Sequence, residues 1–257
     1  MQIQGLTDAS SGVAVLDRAF SILNSFGPTD DDLTLSELSR RTGLYKSTVL
    51  RLVTALEHGG FLRKLEAGQY AVGHQPLRLA ALYQRSYRVG PIIEPVLEQV
   101  SGALGETASF YVRLGEVRQV LYRVEPSRSV RVSIRVGEEF SVHKGASGKV
   151  LLAFTEPADA SRWSEIREQL WAVSFGERDP ETASVSVPVF SGSGGFIGAL
   201  TVSGPKGRFD TPETLKAALL NLLEQAKRAT GTLGGDSTRF DRSIVNAERS
   251  DFLITRA

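Results

Sequence analysis

The chain has 257 residues, a hydrophobic fraction of 41% and a net charge of +1, which allow one or two domains with a sizeable core. It contains no cysteine, so disulfides and thiolate metal sites are excluded. The polar N-terminus and the lack of a long apolar run predict neither a signal peptide nor a membrane span. We therefore expect a cytoplasmic protein without a metal, a cofactor or a membrane partner.

Two amphipathic helices are predicted first. Apolar residues recur at helical spacing over Val13–Phe26, and Gly27-Pro28 ends this helix. A short second helix begins near Thr34. Thr34 and Glu37 match a capping box, in which hydroxyl and carboxylate satisfy each other's free backbone N–H groups. Gly43 suits the left-handed position that ends such a helix.

A third helix and a hairpin follow. The helix Lys46–His58 carries apolar residues on one face, and Gly59-Gly60 ends it. Short β-rich runs at 61–64 and 69–72 form a two-stranded hairpin. Three helices followed by a hairpin are typical of a winged helix-turn-helix, which we place at residues 10–73.

This segment has the charge of a DNA-binding surface. Six basic residues and a single acidic one lie between Arg40 and Lys64. The third helix is predicted to enter the major groove, with a polar stripe opposite its apolar face. The predicted DNA contacts are Tyr45, Lys46, Ser47, Thr48, Arg51 and Thr54 on the helix, and Arg63, Lys64 and Gln69 on the wing. Two alternatives stay open: a solvated basic face, and a mere capping role for the hydroxyls at the helix start.

The remainder is predicted as a linker helix at 74–90, an α/β domain at 91–232 and a flexible tail at 233–257. Gly90-Pro91 marks the boundary between linker and second domain. The predicted helices are Leu77–Arg88, Ile92–Leu104, Ala146–Phe154, Asp159–Leu170 and Thr211–Thr230. The predicted strands are Ala108–Leu114, Gln119–Val124, Val130–Arg135, Ala183–Phe190 and Phe196–Ser203, with a turn at Ser191–Gly195.

The second domain shows no catalytic set. Gly145–Lys149 resembles a phosphate loop, but His143 stands where a glycine is needed and Val150 where a Ser or Thr is needed. There is no Gly-x-Ser-x-Gly elbow. His143 has no evident nucleophile partner or acidic orienter by spacing, so a structural or surface role is favoured. We predict no enzymatic activity and no catalytic residue. The loop Lys144–Gly148 instead brings backbone N–H groups to a helix start, which suits a small anion.

The segment LTLSELSRRTGLYKSTVLRLVTALEHGGFLRK resembles the DNA-binding segment of IclR-type transcriptional regulators. Their pattern has Thr-Gly-Leu and then Lys-Ser-Thr opening a helix, with an Arg four residues after the Ser. This chain supplies Lys46, Ser47, Thr48 and Arg51. At Tyr45 the family more often has Pro or another small residue.

Two later segments, VGEEFSVHKGASGKVLLAF and SVSVPVFSGSGGFIGALTVSGP, are similar to parts of the same family's effector-binding domain. That domain is related to GAF sensor modules and holds small carboxylates or aromatic acids. The resemblance spans roughly Val13 to Thr230 and implies a pocket lined by Gly145, Ala146, Ser147, Ser174, Ser184, Thr201 and Ser203. Members that bind small keto acids carry an Asp near Ser174 and a Cys near Ser184, so a larger or aromatic acid is equally open. Strand hydroxyls bonded to neighbouring backbone are the alternative for Thr201 and Ser203.

The sequence thus predicts an α+β chain with a winged helix-turn-helix, a linker helix and a GAF-like α/β domain. The predicted function is transcriptional regulation, with operator affinity controlled by a small organic acid. The expected partners are double-stranded operator DNA, a small carboxylate effector, and further copies of the chain in a homodimer or dimer of dimers on a pseudo-palindrome. An enzyme with a helix-turn-helix appendage and a protein–protein adaptor are the alternatives.

Overall fold

A computed structural model describes residues 11–27, 29–87, 89–156, 161–192 and 195–249 of the protein. The chain divides into two compact units, residues 1–87 and 88–257. Some predicted features lie outside the described residues: Pro28, the start of the predicted helix at Asp159, the centre of the turn at 191–195, and the chain end beyond 249. No helix within the described ranges combines the length and apolarity that crossing a bilayer requires.

The first unit has the predicted order of helices and hairpin. Its elements are α1 Ala14–Leu23, α2 Leu35–Thr42, α3 Lys46–His58, β1 Leu62–Lys64, β2 Tyr70–Val72 and α4 Gln75–Tyr87. β1 and β2 pair antiparallel, and Leu33 bridges to Tyr70 with two 2.8 Å backbone hydrogen bonds. The apolar faces of the three helices and the hairpin meet in one core, formed by Ile22, Leu33, Leu38, Val49, Leu52, Val53, Leu62 and Tyr70.

The start of α2 keeps only half of the predicted capping box. The Thr34 hydroxyl accepts the Glu37 backbone N–H at 3.1 Å, and Gly43 ends the helix in the left-handed region at φ 69°. The Glu37 carboxylate does not return to Thr34 among the described contacts. It accepts hydrogen bonds from Arg40 and Arg41 instead, because charged donors attract a carboxylate more strongly than a neutral N–H.

This ion cluster gives the first unit a pH-dependent contribution to stability. Hydrogen bonds from Arg40 and Arg41 lower the pKa of Glu37 to about 2. A depressed carboxyl pKa stabilises the fold above the unfolded value of 4.5 and loses this effect as pH falls toward 2. Glu37→Gln is therefore expected to be less stable than wild type at pH 6, with the difference shrinking below pH 4.5. Urea unfolding across pH measures it.

The control for that prediction is Glu57→Gln on α3, because Glu57 forms no ion pair with a described residue. Its stability relative to wild type should vary little over the same range. A Glu37→Gln difference that is independent of pH would contradict the assigned ion cluster.

The second unit is built on a six-stranded antiparallel sheet of order β5-β4-β3-β8-β7-β6. Its strands are β3 Thr107–Leu114, β4 Val117–Val124, β5 Glu139–Ser141, β6 Ala172–Phe175, β7 Thr182–Phe190 and β8 Phe196–Pro205. Its helices are α5 Gly90–Leu104, α6 Ala146–Thr155, α7 Ser164–Gln169, α8 Pro212–Thr232 and α9 Arg239–Arg249, with a 3-10 turn at Lys206–Arg208. Residues 107–112 of β3 are all buried, so both faces of the central sheet are covered.

Two predictions for this unit are wrong. Val130–Arg135 forms no strand, although Val132 and Ile134 are buried in the cluster around α6. The carbonyl of Val132 accepts a hydrogen bond from the Thr107 hydroxyl at 2.6 Å, so this segment packs without joining the sheet. The helix predicted at Asp159–Leu170 is helical only over Ser164–Gln169 within the described residues.

The tail is also more ordered than predicted. Residues 239–249 form α9, which buries Phe240, Ser243 and Ala247 on one face. Phe240 packs edge-on against Phe190 at 6.2 Å between ring centroids. Because two of the three buried side chains are small, their helical spacing gives a weak apolar signal in the sequence.

Candidate functional sites: a nucleic-acid interface and an anion pocket

The exposed face of α3 carries the predicted DNA contacts. Tyr45, Lys46, Ser47, Arg51 and Thr54 are exposed, and Thr48 is half-buried, while the opposite face of α3 enters the core. Arg63 and Lys64 on β1 are exposed, and Gln69 is half-buried at the far end of the hairpin. The Thr54 hydroxyl donates to the Leu50 carbonyl at 2.9 Å, which leaves it free only to accept.

The start of α3 is open to a phosphate. Tyr45 is its N-cap, in extended conformation, and no side chain caps the helix. The backbone N–H groups of Lys46 and Ser47 therefore have no acceptor within the described chain. Unsatisfied N–H groups at a helix N-terminus attract anions. This geometry argues against a mere capping role for Tyr45, Ser47 and Thr48.

Not all basic residues of this segment are free to meet DNA. Arg41 binds Asp30 and Glu37, and Arg40 binds Glu37, so their charge is largely compensated within the protein. The remaining four form no ion pair with a described acidic residue: Lys46, Arg51, Arg63 and Lys64. The uncompensated positive charge thus lies on α3 and the wing.

The second unit contains a cavity that gathers most of the predicted effector-binding residues. Six of the seven line it: Gly145, Ser147, Ser174, Ser184, Thr201 and Ser203. Ala146 does not, because its side chain is fully buried in the cluster between α6 and the sheet. Tyr111, Arg118, Ile134, Arg178, Thr182 and Ala183 complete the lining and were not predicted.

Strand register explains why the hydroxyls converge. Ser184 lies directly opposite Ser174 on β6 and opposite Ser203 on β8, and directly paired residues share a sheet face. Thr201 lies two residues before Ser203 and so shares that face. Its hydroxyl is 2.8 Å from that of Ser186, so Thr201 is partly engaged with a strand neighbour. The buried Ser203 hydroxyl has no partner among the described residues.

Arg118 is the dominant charge of the cavity. It is only 3% exposed, and its Nη1 donates to the carbonyls of Ser141 and Lys144. Its Nε–H is buried without an acceptor in the described chain. Burial, aided by the nearby positive charge of Arg178, lowers the pKa of Arg118 to about 10. A buried cation without an anionic partner is costly, so this group favours an anionic ligand.

One signal in the sequence points to Arg118. It shares the inward-facing alternation of β4 with Val120, which is buried. A charged residue at an inward position of an apolar strand indicates either a buried ion pair or a ligand contact. The bonds to Ser141 and Lys144, more than twenty residues away, are not visible from sequence.

The loop predicted to bind an anion already holds one of the protein's own carboxylates. The Gly145 N–H donates to Glu177 at 3.1 Å, and the other carboxylate oxygen binds Lys149. The first-turn N–H groups of residues 146–148 have no acceptor within the described part of the chain. A bound anion would therefore use these groups rather than the Gly145 N–H.

The remaining chemistry of this unit is limited. His143 is exposed, as favoured from sequence, and bonds Glu116 at 2.7 Å, an acidic partner that the sequence spacing did not reveal. The described residues contain no cluster of three His, Asp or Glu side chains that could hold a metal ion.

The cavity has about 350 Å³ of space between atoms, part of it open to solvent, and about 20 Å³ admits the centre of a water molecule. This is room for about one water molecule, so a larger ligand requires the lining to move.

Comparison with known proteins agrees with both units. The family model described as the IclR helix-turn-helix domain matches residues 15–66. The model for the C-terminal domain of bacterial transcriptional regulator IclR matches residues 82–165 and 161–230. The chain belongs to the IclR family of transcriptional regulators. This IclR-family member is therefore a DNA-binding transcriptional regulator, with a helix-turn-helix domain and an α/β domain.

Individual relatives carry the same description. The regulator is 24% identical to the HTH-type transcriptional regulator KipR of Bacillus subtilis, over 75% of this chain and 86% of KipR. An IclR transcriptional regulator from Alicyclobacillus acidocaldarius has a similar structure, with a TM-score of 0.69 and 25% identity over 88% of this chain and 100% of that one. An IclR homolog from Microbacterium hydrocarbonoxydans, solved in complex with 4-hydroxybenzoate, shares the fold at 21% identity, with a TM-score of 0.73 over 90% and 99% of the two chains.

Proposed function

We propose that the operator affinity of this regulator is controlled by a small organic acid bound in the cavity of the second unit. The observation that carries the proposal is the buried guanidinium of Arg118, which lines the cavity and forms no ion pair with a described acidic residue. Unbonded N–H groups at the start of α6 and the free Ser203 hydroxyl add donors that a carboxylate accepts. The 4-hydroxybenzoate complex of the Microbacterium relative supports an acid as ligand.

On the DNA side, we assign the major-groove contacts to α3. Arg51 would bind a guanine edge or a phosphate, and Lys46, Ser47 and Thr48 would hold a phosphate at the helix start. Arg63, Lys64 and Gln69 on the wing would contact the backbone or the minor groove. Tyr45 and Thr54 flank this surface. Such a regulator works where the operator DNA lies, in the cytoplasm.

We further propose a homodimer or a dimer of dimers, because operators with two half-sites mirror a two-fold protein. Exposed apolar side chains support an interface between copies. They lie on α1 (Val15, Leu16 and Phe20) and on α4 (Leu77, Leu79 and Leu82). Single exposed apolar residues are ordinary, but clusters on one helix mark an interaction surface.

The experiment that tests acid binding is a thermal-shift screen of the full chain against aliphatic and aromatic carboxylic acids. A ligand that binds only the folded state raises the unfolding midpoint. We expect at least one acid to raise it in a concentration-dependent manner. The absence of any stabilising acid across the panel would contradict a sensor of organic acids.

The variant Ser203→Ala separates ligand binding from folding. The Ser203 hydroxyl is buried without a partner among the described residues, so its removal should leave the stability of the free protein unchanged or raised. Affinity for the stabilising acid should fall by about 0.5–1.5 kcal/mol, the net value of one hydrogen bond. Calorimetric titration measures it.

The matched control is Ser243→Ala on α9, which also removes a buried hydroxyl that has no partner in the described part of the chain, at a residue that does not line the cavity. It should bind the acid as wild type does. Equal acid affinity in both variants would remove Ser203 from the ligand contacts.

A further inference from the structure

The cavity carries more positive charge than one carboxylate compensates. We propose that its natural ligand is a dicarboxylate, with one carboxylate bound at Arg118 and the other at Arg178. This inference rests on the proposed control by an organic acid and narrows the ligand class. The proposal depends on two guanidinium groups, those of Arg118 and Arg178, that line the same cavity.

Arg118 is the more deeply buried of the two cations that line the cavity. Its Nη1 is committed to the carbonyls of Ser141 and Lys144, which fixes the guanidinium beside the start of α6. Carbonyls accept hydrogen bonds but do not neutralise the charge. The buried Nε–H has no acceptor in the described chain. One ligand carboxylate at this position would neutralise the cation and also accept from the N–H groups at the start of α6.

The second cation, Arg178, lies against the same aromatic ring. Its guanidinium carbon is 4.9 Å from the ring centroid of Phe140, and that of Arg118 is 5.4 Å from the same centroid. Arg178 is half-buried and forms no ion pair with a described acidic residue. Two like charges held beside one ring repel each other in a site that water only partly screens.

The nearest candidate to relieve this repulsion is already engaged. Glu177 precedes Arg178 in the chain, but its two carboxylate oxygens bind Lys149 and the Gly145 N–H. The negative charge of Glu177 also acts on Arg118, so Lys149, Arg118 and Arg178 share this one carboxylate and two positive charges remain. A monocarboxylate would leave one of these charges unpaired, whereas a dicarboxylate pairs both.

The size of the cavity restricts the ligand further. Only about 20 Å³ admits the centre of a water molecule, which is room for about one water, so any acid requires the lining to move. A short, unbranched dicarboxylate matches the charge and requires the smallest displacement of the lining. The hydroxyls of Ser174, Ser184 and Ser203 on the same sheet face would then donate to carboxylate oxygens of the ligand.

The test compares each dicarboxylate from malonate to adipate with its own monoamide, which keeps the shape and removes one charge. Calorimetric titration of the full chain gives both dissociation constants. We expect the best dicarboxylate to bind at least about tenfold more tightly than its monoamide, the usual scale for a hydrogen-bonded charge. In Arg178→Gln this ratio should fall to near one, while the monoamide affinity stays within about twofold of wild type.

The matched control is Arg239→Gln. The Arg239 guanidinium lies 4.0 Å from the ring centroid of Phe190, and Arg239 does not line the cavity. The substitution therefore removes the same kind of charge and ring contact at a different place. This variant should keep the wild-type ratio. Arg118→Gln should abolish binding of both ligands, and circular dichroism checks that this variant folds. The comparison of Arg178→Gln with wild type does not depend on the Arg118 variant.

Different failures have different meanings. Equal binding of dicarboxylate and monoamide by wild type would overturn the dicarboxylate while leaving control by an acid intact. A dicarboxylate preference that survives in Arg178→Gln would overturn the role of Arg178. If neither these acids nor monocarboxylates such as 4-hydroxybenzoate bind at all, the proposed function and this inference both fail.

Discussion

Replacing Arg51 by alanine is expected to weaken specific operator binding by about 1–3 kcal/mol. Arg51 is exposed on the face of α3 that points away from the core, and no described acidic residue compensates its charge. Its guanidinium is therefore free to bind a guanine edge with two hydrogen bonds. Fluorescence anisotropy with a selected operator, at one fixed salt concentration, measures the loss.

Two comparisons sharpen that result. Arg40→Ala removes an exposed arginine that Glu37 already holds, so operator affinity should change little. Lys64→Ala on the wing should weaken binding to all sequences alike and reduce the salt dependence by the loss of about one phosphate contact. An Arg51→Ala variant with wild-type operator affinity would remove Arg51 from the reading surface.

Substituting Gly148 by alanine is expected to destabilise the second unit by about 3 kcal/mol or more and to abolish the response to acids. A Cβ at this position would lie 2.0 Å from the Val142 carbonyl oxygen and 3.1 Å from Arg118 Nη1. The clash is with backbone, so the helix start and the guanidinium beside it must shift. Thermal unfolding, and acid titration at a temperature where the variant is folded, measure both effects.

The control is another glycine of the same unit. Gly102 lies on the exposed side of α5, and a Cβ there meets no described atom within 4 Å. Gly102→Ala should stabilise the unit by about 0.5–1 kcal/mol, because alanine loses less entropy in a helix. Wild-type stability and acid response in Gly148→Ala would contradict the close packing at the start of α6.

Local sequence signals predicted the first unit well. The bounds of α3 coincide with the prediction, since its apolar face is periodic and glycines end it. The capping box was half right, because the partner of Glu37 depends on Arg40 and Arg41, which compete for its carboxylate. Such competition among charged side chains is not contained in a four-residue motif.

In the second unit, local sequence patterns did not predict strand pairing or contacts between distant segments. Buried alternation at Val132 and Ile134 indicates burial but not strand pairing, which depends on available neighbours in the sheet. The family pattern placed Ala146 in the pocket, although its side chain packs into the core. Arg118 and Arg178 were missed because they meet beside Phe140 only after distant segments have folded together.

Control of DNA binding by the cavity is tested most directly by measuring operator affinity with and without the acid that stabilises the protein. Anisotropy titrations at constant salt would compare the free regulator with the regulator saturated by that acid. We predict a change of about fivefold or more at saturation, the usual scale of coupling between two sites. At an acid concentration near the wild-type dissociation constant, Ser203→Ala should show a smaller change than wild type. An operator affinity that is identical with and without saturating acid would contradict the claim that the cavity controls DNA binding.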